Sequence, residues 1–366
     1  MGRHLRPFIQ PSLTELYWRY DGTSDTVIFL DALRNTDHAL KVLHLLPQPK
    51  VGSEAISAAT ENTVQGMRHL RRAQVPPAGN ILEHLASLST LTHLRIEGQD
   101  TTHCPAPFAL SPSATNFFQL AEFSVIVPLD SHARVCAFLD AISPRNLRTL
   151  RLSFVASPED LVSNTRDSRN IANSFRQIIK SCSVFAALEV LVVSFDIKPT
   201  RGVKLIEDPE CILFDGAITP LFQLRSLITL DLQDLPLSIS PNFVEQALEN
   251  WPDIRTLYLG NNSGDTVQTH TTIGDLRLFT PCTRLEELGL AIAQPARDHL
   301  DGFVEEDEDD GAGHVNSVMR QISLRVFTRP LARDERYMND VLGHAFPNAR
   351  LQFTRGPRSV GYSFRS

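Results

Sequence analysis

Cysteine is scarce in this chain of 366 residues, and its placement is uninformative for cross-linking. The five residues Cys104, Cys136, Cys182, Cys211 and Cys282 are odd in number and lie at least 29 residues apart. That spacing fits neither a disulfide framework nor a zinc site, so free thiols in a reducing compartment are expected. Long apolar runs are also missing: none reaches the ~18–20 residues that span a bilayer. The opening "MGRHLRPFIQ" has no apolar stretch before a small-residue cleavage site, and Arg6 stands where a myristoylation signal needs Ser or Thr. These absences point to a cytoplasmic or nuclear protein with no membrane partner.

Lysine is nearly absent, with five residues against 30 arginines. The net charge of −7 is concentrated in "EEDEDD" (305–310), which carries −6 of it. From Arg320 onward nine arginines stand against Asp334, Glu335 and Asp340, a local +6. A nucleic-acid-binding domain would carry its basic excess over a whole face, so no nucleic-acid partner is expected. The phosphate loop, the dinucleotide fingerprint, the His-Glu-x-x-His zinc motif and the Gly-x-Ser-x-Gly elbow are all missing. The acids of "DEDDGAG" are contiguous rather than alternating, unlike a calcium loop. The expectation is a chain that is not an enzyme and has no cofactor, metal or catalytic residues.

What is present is a repeat. "LRTLRLSF" (147–154) has leucines at Leu147, Leu150 and Leu152, a spacing that is neither a clean strand alternation nor a helical period. The same pattern starts at Leu13, Leu40, Leu91, Leu120, Leu188, Leu227, Ile254 and Leu285, with weaker copies read from Met67, Gln321 and Asn348. Five of the intervals between these starts are 27 residues. Helix-period segments lie between the strands, at 26–36, 80–88, 135–143, 171–180 and 243–251. Helix starts are read at Ser157-Pro158, Ser240-Pro241 and Thr280-Pro281. A strand, a turn and a helix every ~27 residues is the leucine-rich repeat. The expected fold is therefore α/β: a leucine-rich-repeat solenoid of about twelve irregular repeats, an arc or horseshoe. Its parallel strands line the concave face and its helices the convex one.

One domain is expected over 1–366, with an acidic mobile loop at about 297–316 and a short basic tail at about 355–366. Only Asn262 stands where a regular repeat carries its turn-bonding asparagine, so no asparagine ladder is expected.

The stretch "WPDIRTLYLGNNSGDTVQTHTTIGDLRLFTPCTRLEELGLAI" (251–292) resembles the leucine-rich region of basidiomycete-type fungal F-box proteins. The matching residues are Trp251-Pro252, the 260–264 loop, Thr272, Leu276, Cys282 and Leu285 to Leu290. The order Pro281-Cys282 reverses the usual Cys-Pro. The terminal "HAFPNARLQF" (344–353) is similar to the closing repeat of that family. The resemblance implies a protein–protein interaction module, the substrate-recognition region of an F-box-type ubiquitin ligase subunit. The alternative is a stand-alone leucine-rich-repeat scaffold with no ligase role. An F-box is a helical segment of ~45 residues that precedes the repeats, and here the first strand pattern is already under way at Leu13. A Skp-type adaptor is thus expected as a partner only of a longer form carrying an F-box.

The partner face is read from the positions flanking the second leucine of each strand, because side chains alternate. The residues chosen are His44, His69, Arg71, His93, Arg95, Arg151, Asp231 and Tyr258. The first five are expected as neighbours on adjacent strands, Arg71 beside Arg95 and His69 beside His93. They would take a protein ligand that is acidic or phosphorylated, with binding that strengthens toward pH 6 as histidines protonate. If residues 301–314 form a solvated loop, limited proteolysis of the full chain should cut there first and leave the repeat strands intact. Early cleavage at 147–153 or 254–259 would contradict the repeat assignment.

Overall fold

The computed structural model describes residues 9–20, 23–36, 39–47, 54–77, 79–98, 117–142, 145–156, 168–197, 212–260, 271–292, 316–326 and 342–355. The chain forms two compact units, Met1–Ala156 and Ser157–Ser366. Both are stacks of leucine-rich repeats, so the α/β repeat fold read from the leucine spacing is the fold observed.

In the first unit six parallel strands follow one another in sequence order: β1 (Glu15–Tyr20), β2 (Val42–Pro47), β3 (Arg72–Val75), β4 (His93–Glu97), β5 (Glu122–Pro128) and β6 (Thr149–Ala156). Helices α1 (Ser24–Arg34), α2 (Glu54–Gln65), α3 (Gly79–Ser87) and α4 (His132–Ala141) lie in the connections. The second unit contains β7 (Val190–Ile197), β9 (Thr229–Leu232), β11 (Thr256–Leu259), β12 (Glu287–Ile292), β13 (Gln321–Val326) and β14 (Arg350–Arg355), parallel neighbours in that order. A minor parallel pair, β8 (Leu213–Phe214) with β10 (Leu237–Ser238), sits on the connections, together with α5 (Ser168–Cys182), α6 (Asp215–Ile218) and α7 (Pro241–Asn250).

One backbone arrangement recurs at nearly every strand start. Two successive N–H groups donate to a single carbonyl of the preceding repeat: Lys41 and Val42 to Thr14, Arg71 and Arg72 to Lys41, Thr92 and His93 to Arg71, Ala121 and Glu122 to Thr92. In the second unit Ile228 and Thr229 donate to Glu189, and Arg255 and Thr256 to Ile228. Each shared carbonyl locks the next strand to the last with no freedom to slip. The consensus leucines of one strand then stack on those of the next. Leu43, Leu94, Phe123 and Leu150 form one such row of the first unit, all essentially inaccessible to water. Each fully buried leucine or phenylalanine contributes about 1.5–3 kcal/mol.

Two weak repeats are displaced from where the sequence pattern places them. The third begins at Leu70, three residues after Met67, so Ala73 and Val75 fill the second and third core positions. Met67-x-x-Leu70 mimics the leucine spacing, while Ala73 is too small to signal it. Likewise Met319, Ile322 and Leu324 form the core triplet of β13, two residues ahead of the frame read from Gln321. Helix α2 escapes the periodicity because its buried face is made largely of small or polar residues, Ala59, Thr60 and Thr63, beside Ile56 and Val64. Thr280-Pro281 does not start a helix. Thr280 caps the end of a 3₁₀ turn, Gly274–Phe279, donating from both its N–H and its Oγ1 to the Arg277 carbonyl, and Pro281 stops the chain from continuing it. Ser240-Pro241 does start a helix. Ser240 Oγ accepts from the Phe243 N–H at 3.2 Å, and Pro241 occupies the first turn of α7. Ser157-Pro158, Asn262, Cys104, Cys211, loop residues 297–315 and tail residues 356–366 lie outside the described residues.

The connections are held by buried polar side chains rather than by an asparagine ladder. Thr63 Oγ1 donates to Ala59 O within α2 at 2.7 Å and lies 3.1 Å from the Leu30 carbonyl of α1, so its hydroxyl is shared between the two helices. Thr271 Oγ1 donates to Ile239 O at 2.8 Å, and Trp251 Nε1 to Leu221 O at 3.2 Å. Asn316, only 2% exposed, is the most heavily bonded of them. Its Nδ2 donates to the carbonyls of Cys282 (2.8 Å) and Phe279 (3.2 Å), and its Oδ1 accepts from the Val318 and Met319 N–H groups, both at 3.0 Å. Asn316→Ala strips partners from backbone groups inside the second unit. The expected cost is about 2–4 kcal/mol, read as a lower urea midpoint for that unit's transition. A loss below about 0.5 kcal/mol would show that water replaces the amide.

Candidate functional site

The side chains of β1 to β6 that point away from the core form rows across the sheet, set by the strand register. One row runs Glu15, Val42, Arg72, His93, Glu122 and Thr149. The next runs Tyr17, His44, Gln74, Arg95, Ser124 and Arg151. A shallow depression of about 380 Å³ lies over these rows, lined by Tyr17, His44, Arg72, Gln74, Arg95 and Arg151 among others.

His44, His93, Arg95 and Arg151 are thus gathered on one surface. His69 and Arg71 are not. The bonded register puts Arg72 beside His93 and Gln74 beside Arg95, which moves His69 and Arg71 ahead of the strand. Arg71 instead supplies the carbonyl that Thr92 and His93 share, and His69 lines a separate recess with Arg34, Thr63 and Arg68 at the C-terminal ends of α1 and α2. The displacement follows from the third repeat starting at Leu70. Arg72 and Gln74 are the residues the sequence pattern missed, and "LRRAQV" contains the signal once Ala73 is accepted as a core residue.

Several of these groups are already engaged. Arg95 Nη2 lies 3.4 Å from Glu97 Oε2, and the same oxygen accepts from Gln74 Nε2 at 2.8 Å. His93 is held between Thr92 Oγ1 (2.8 Å from Nδ1) and Glu122 Oε2 (3.6 Å from Nε2). Tyr17, 63% exposed, tilts over His44 with ring centroids 4.4 Å apart. Arg72 and Arg151 have no ion pair among the described residues. Arg95 and Arg151 stand two strands apart, about 9.6 Å, with Ser124 between them. Two long guanidinium arms at that spacing can converge on one anionic group above the serine.

Asp231 and Tyr258 belong to the second unit and have structural work there. Asp231 Oδ1 accepts from the Gln233 N–H at 3.2 Å, holding the turn after β9. The Tyr258 hydroxyl donates to Glu287 Oε2 at 3.0 Å and lies 3.4 Å from Gln321 Nε2 on β13, two strands away. It reaches there by crossing β12 over Gly289, which has no side chain in the way. Burial and the Glu287 carboxylate both push the Tyr258 phenol well above its ordinary range. The open side chains of this unit are therefore bonded largely to each other. Among the described residues no cluster of three or more His, Cys, Asp or Glu is placed to hold a metal ion, and no helix is long and apolar enough to cross a membrane. Burial raises the Cys282 thiol to about 11, so it stays protonated at neutral pH.

The electrostatics revise the expected pH response at His44. Burial, the largest influence, lowers its pKa; a hydrogen bond to Gln74 opposes this, and Arg95 and Arg72 lower it further. The folded protein thus prefers neutral His44, and an unfolded histidine titrates near ~6.5. Between the depressed folded value and ~6.5 the unfolded chain binds more protons. Stability therefore falls as pH drops below ~6.5 and levels off once folded His44 is also protonated. His44→Gln should flatten that slope in urea midpoints taken across the interval. An unchanged slope would assign the titration elsewhere.

No protein-family model matches the sequence, and no curated protein matches it. Among solved structures, the complex of Rad7 and Elc1 in yeast is similar to this chain at 14% identity, covering 93% of this chain and 81% of that one, with a TM-score of 0.39.

Proposed function

We propose that this chain is a non-enzymatic protein-binding module whose partner docks on the open face of β1 to β6 through an acidic or phosphorylated segment. The observation that carries this is the juxtaposition of Arg72, Arg95 and Arg151 with Tyr17 and His44 around one depression of an exposed, rigid sheet. Parallel strands pinned by shared carbonyls keep the guanidinium groups at fixed spacing with little ordering cost on binding. Arginine suits carboxylates and phosphates because it donates in a planar fork. Tyr17 adds a large aromatic surface of the kind enriched at binding hot spots. The motif resemblance at 251–292 favours one biological setting, substrate recognition for an F-box-type ubiquitin ligase. A Skp-type adaptor is then a partner of any form that carries an F-box.

The test pairs two measurements on the full-length protein purified from its own cells. Arg72→Glu with Arg95→Glu should weaken capture of its main partner at least tenfold while the melting temperature stays within about 2 °C, since exposed charges contribute little to folding. Arg71→Glu, outside the depression, should bind as the parent does. Equal capture by the double variant would overturn the site. Co-purification of a Skp-type adaptor supports the ligase setting, and its consistent absence supports a stand-alone scaffold.

A further inference from the structure

Strand β1 is the first of its sheet, and among the described residues nothing pairs with its outer edge. Its core side is also incompletely covered. Leu16 and Trp18 are half-buried, whereas Leu43 and Leu45 at the matching positions of β2 are fully buried. A repeat whose outer backbone edge pairs with no described residue and whose apolar side chains are only half-buried calls for a cover.

Backbone parity identifies the groups that face outward. The Thr14 carbonyl accepts from Lys41 and Val42, so it points toward β2. Along a strand the backbone groups alternate sides, which turns those of Leu16 and Trp18 toward β2 and those of Glu15, Tyr17 and Arg19 toward the outer edge. The same three residues carry their side chains on the open face. Around Tyr17 the sequence is self-complementary: Glu15 lies two before and Arg19 two after, with Leu16 and Trp18 on either side.

We propose that a second copy of this chain pairs through β1, antiparallel, about a two-fold axis at Tyr17. In that register Glu15 of each copy faces Arg19 of the other, and Tyr17 faces Tyr17. All three are hydrogen-bonded positions, so the parity of the free edge matches the parity the axis needs. Opposite charges then pair on the open face. On the core side Leu16 of each copy meets Trp18 of the other, covering both. No other register does this. A shift of two residues separates both charge pairs, and a shift of four sets Glu15 against Glu15 or Arg19 against Arg19. A junction of one strand per copy is small beside the ~1,200–2,000 Å² of a standard interface, so the association belongs in the micromolar range.

Sedimentation of the full chain from about 1 to about 100 µM, bracketing that range, should show a reversible dimer that weakens with salt. Glu15→Arg and Arg19→Glu should each raise the dissociation constant about tenfold, and the two together should restore it to within about threefold of the parent. The axis has its own signature. Tyr17→Cys should form a disulfide-linked dimer under mild oxidation, because facing residues at a hydrogen-bonded position have Cα atoms about 5.5 Å apart. Glu15→Cys, four residues out of register with itself, should not. A chain that stays monomeric throughout overturns the proposal, as does a charge swap no tighter than its single variants. So does dimerisation seen only after removal of residues 1–8, which would make that segment the cover of the edge.

Discussion

A single carbonyl that accepts two successive N–H groups is the constraint on which the rest of this structure depends. Thr14, Lys41, Arg71, Thr92 and Ala121 each perform this role for the next strand of the first unit, and Glu189, Ile228 and Arg255 do so in the second. The side-chain period of a strand is two, so a slip of one residue would turn every leucine outward and every arginine inward. The shared carbonyl removes that freedom repeat by repeat. It therefore fixes the leucine rows of the core, the polar rows of the open face and, at β1, which backbone groups face the outer edge.

The two open faces built on this frame have different characters. In the second unit Glu287, Tyr258, Gln321, Ser323 and Gln352 connect side chain to side chain across β11 to β14. A ligand there would have to replace hydrogen bonds already made. In the first unit Arg72 and Arg151 have no ion pair among the described residues, and Arg95 shares a single carboxylate oxygen with Gln74. That contrast assigns the partner-binding proposal to β1 to β6 rather than to the whole array. His44 lies on this surface, on β2, as a neutral side chain, held so by burial and the neighbouring arginines. The surface thus draws its positive charge from arginine, which does not titrate near neutral pH.

Strong repeats such as "LRTLRL" and "LITLDL" determine their own strands, because a leucine at all three core positions leaves one frame that buries them. Fold class, parallel order and the Ser240-Pro241 helix start were legible for that reason. So was the placement of His44, His93, Arg95 and Arg151 on one face of the sheet. The third repeat was not legible. Met67, Leu70 and Ala73 offer two frames with similar apolar spacing, and only the donation of the Arg71 and Arg72 N–H groups to Lys41 chooses between them. That choice replaces His69 and Arg71 by Arg72 and Gln74. The turn-holding role of Asn316 and the reach of Tyr258 over Gly289 were equally hidden, since both join residues more than thirty positions apart. Where leucine fills all three core positions, sequence alone determined what must be buried, because hydrophobic spacing is a local property of the chain. Which polar groups meet on the open face was decided by the tertiary structure, because the register between strands is a long-range backbone bond that no local pattern encodes.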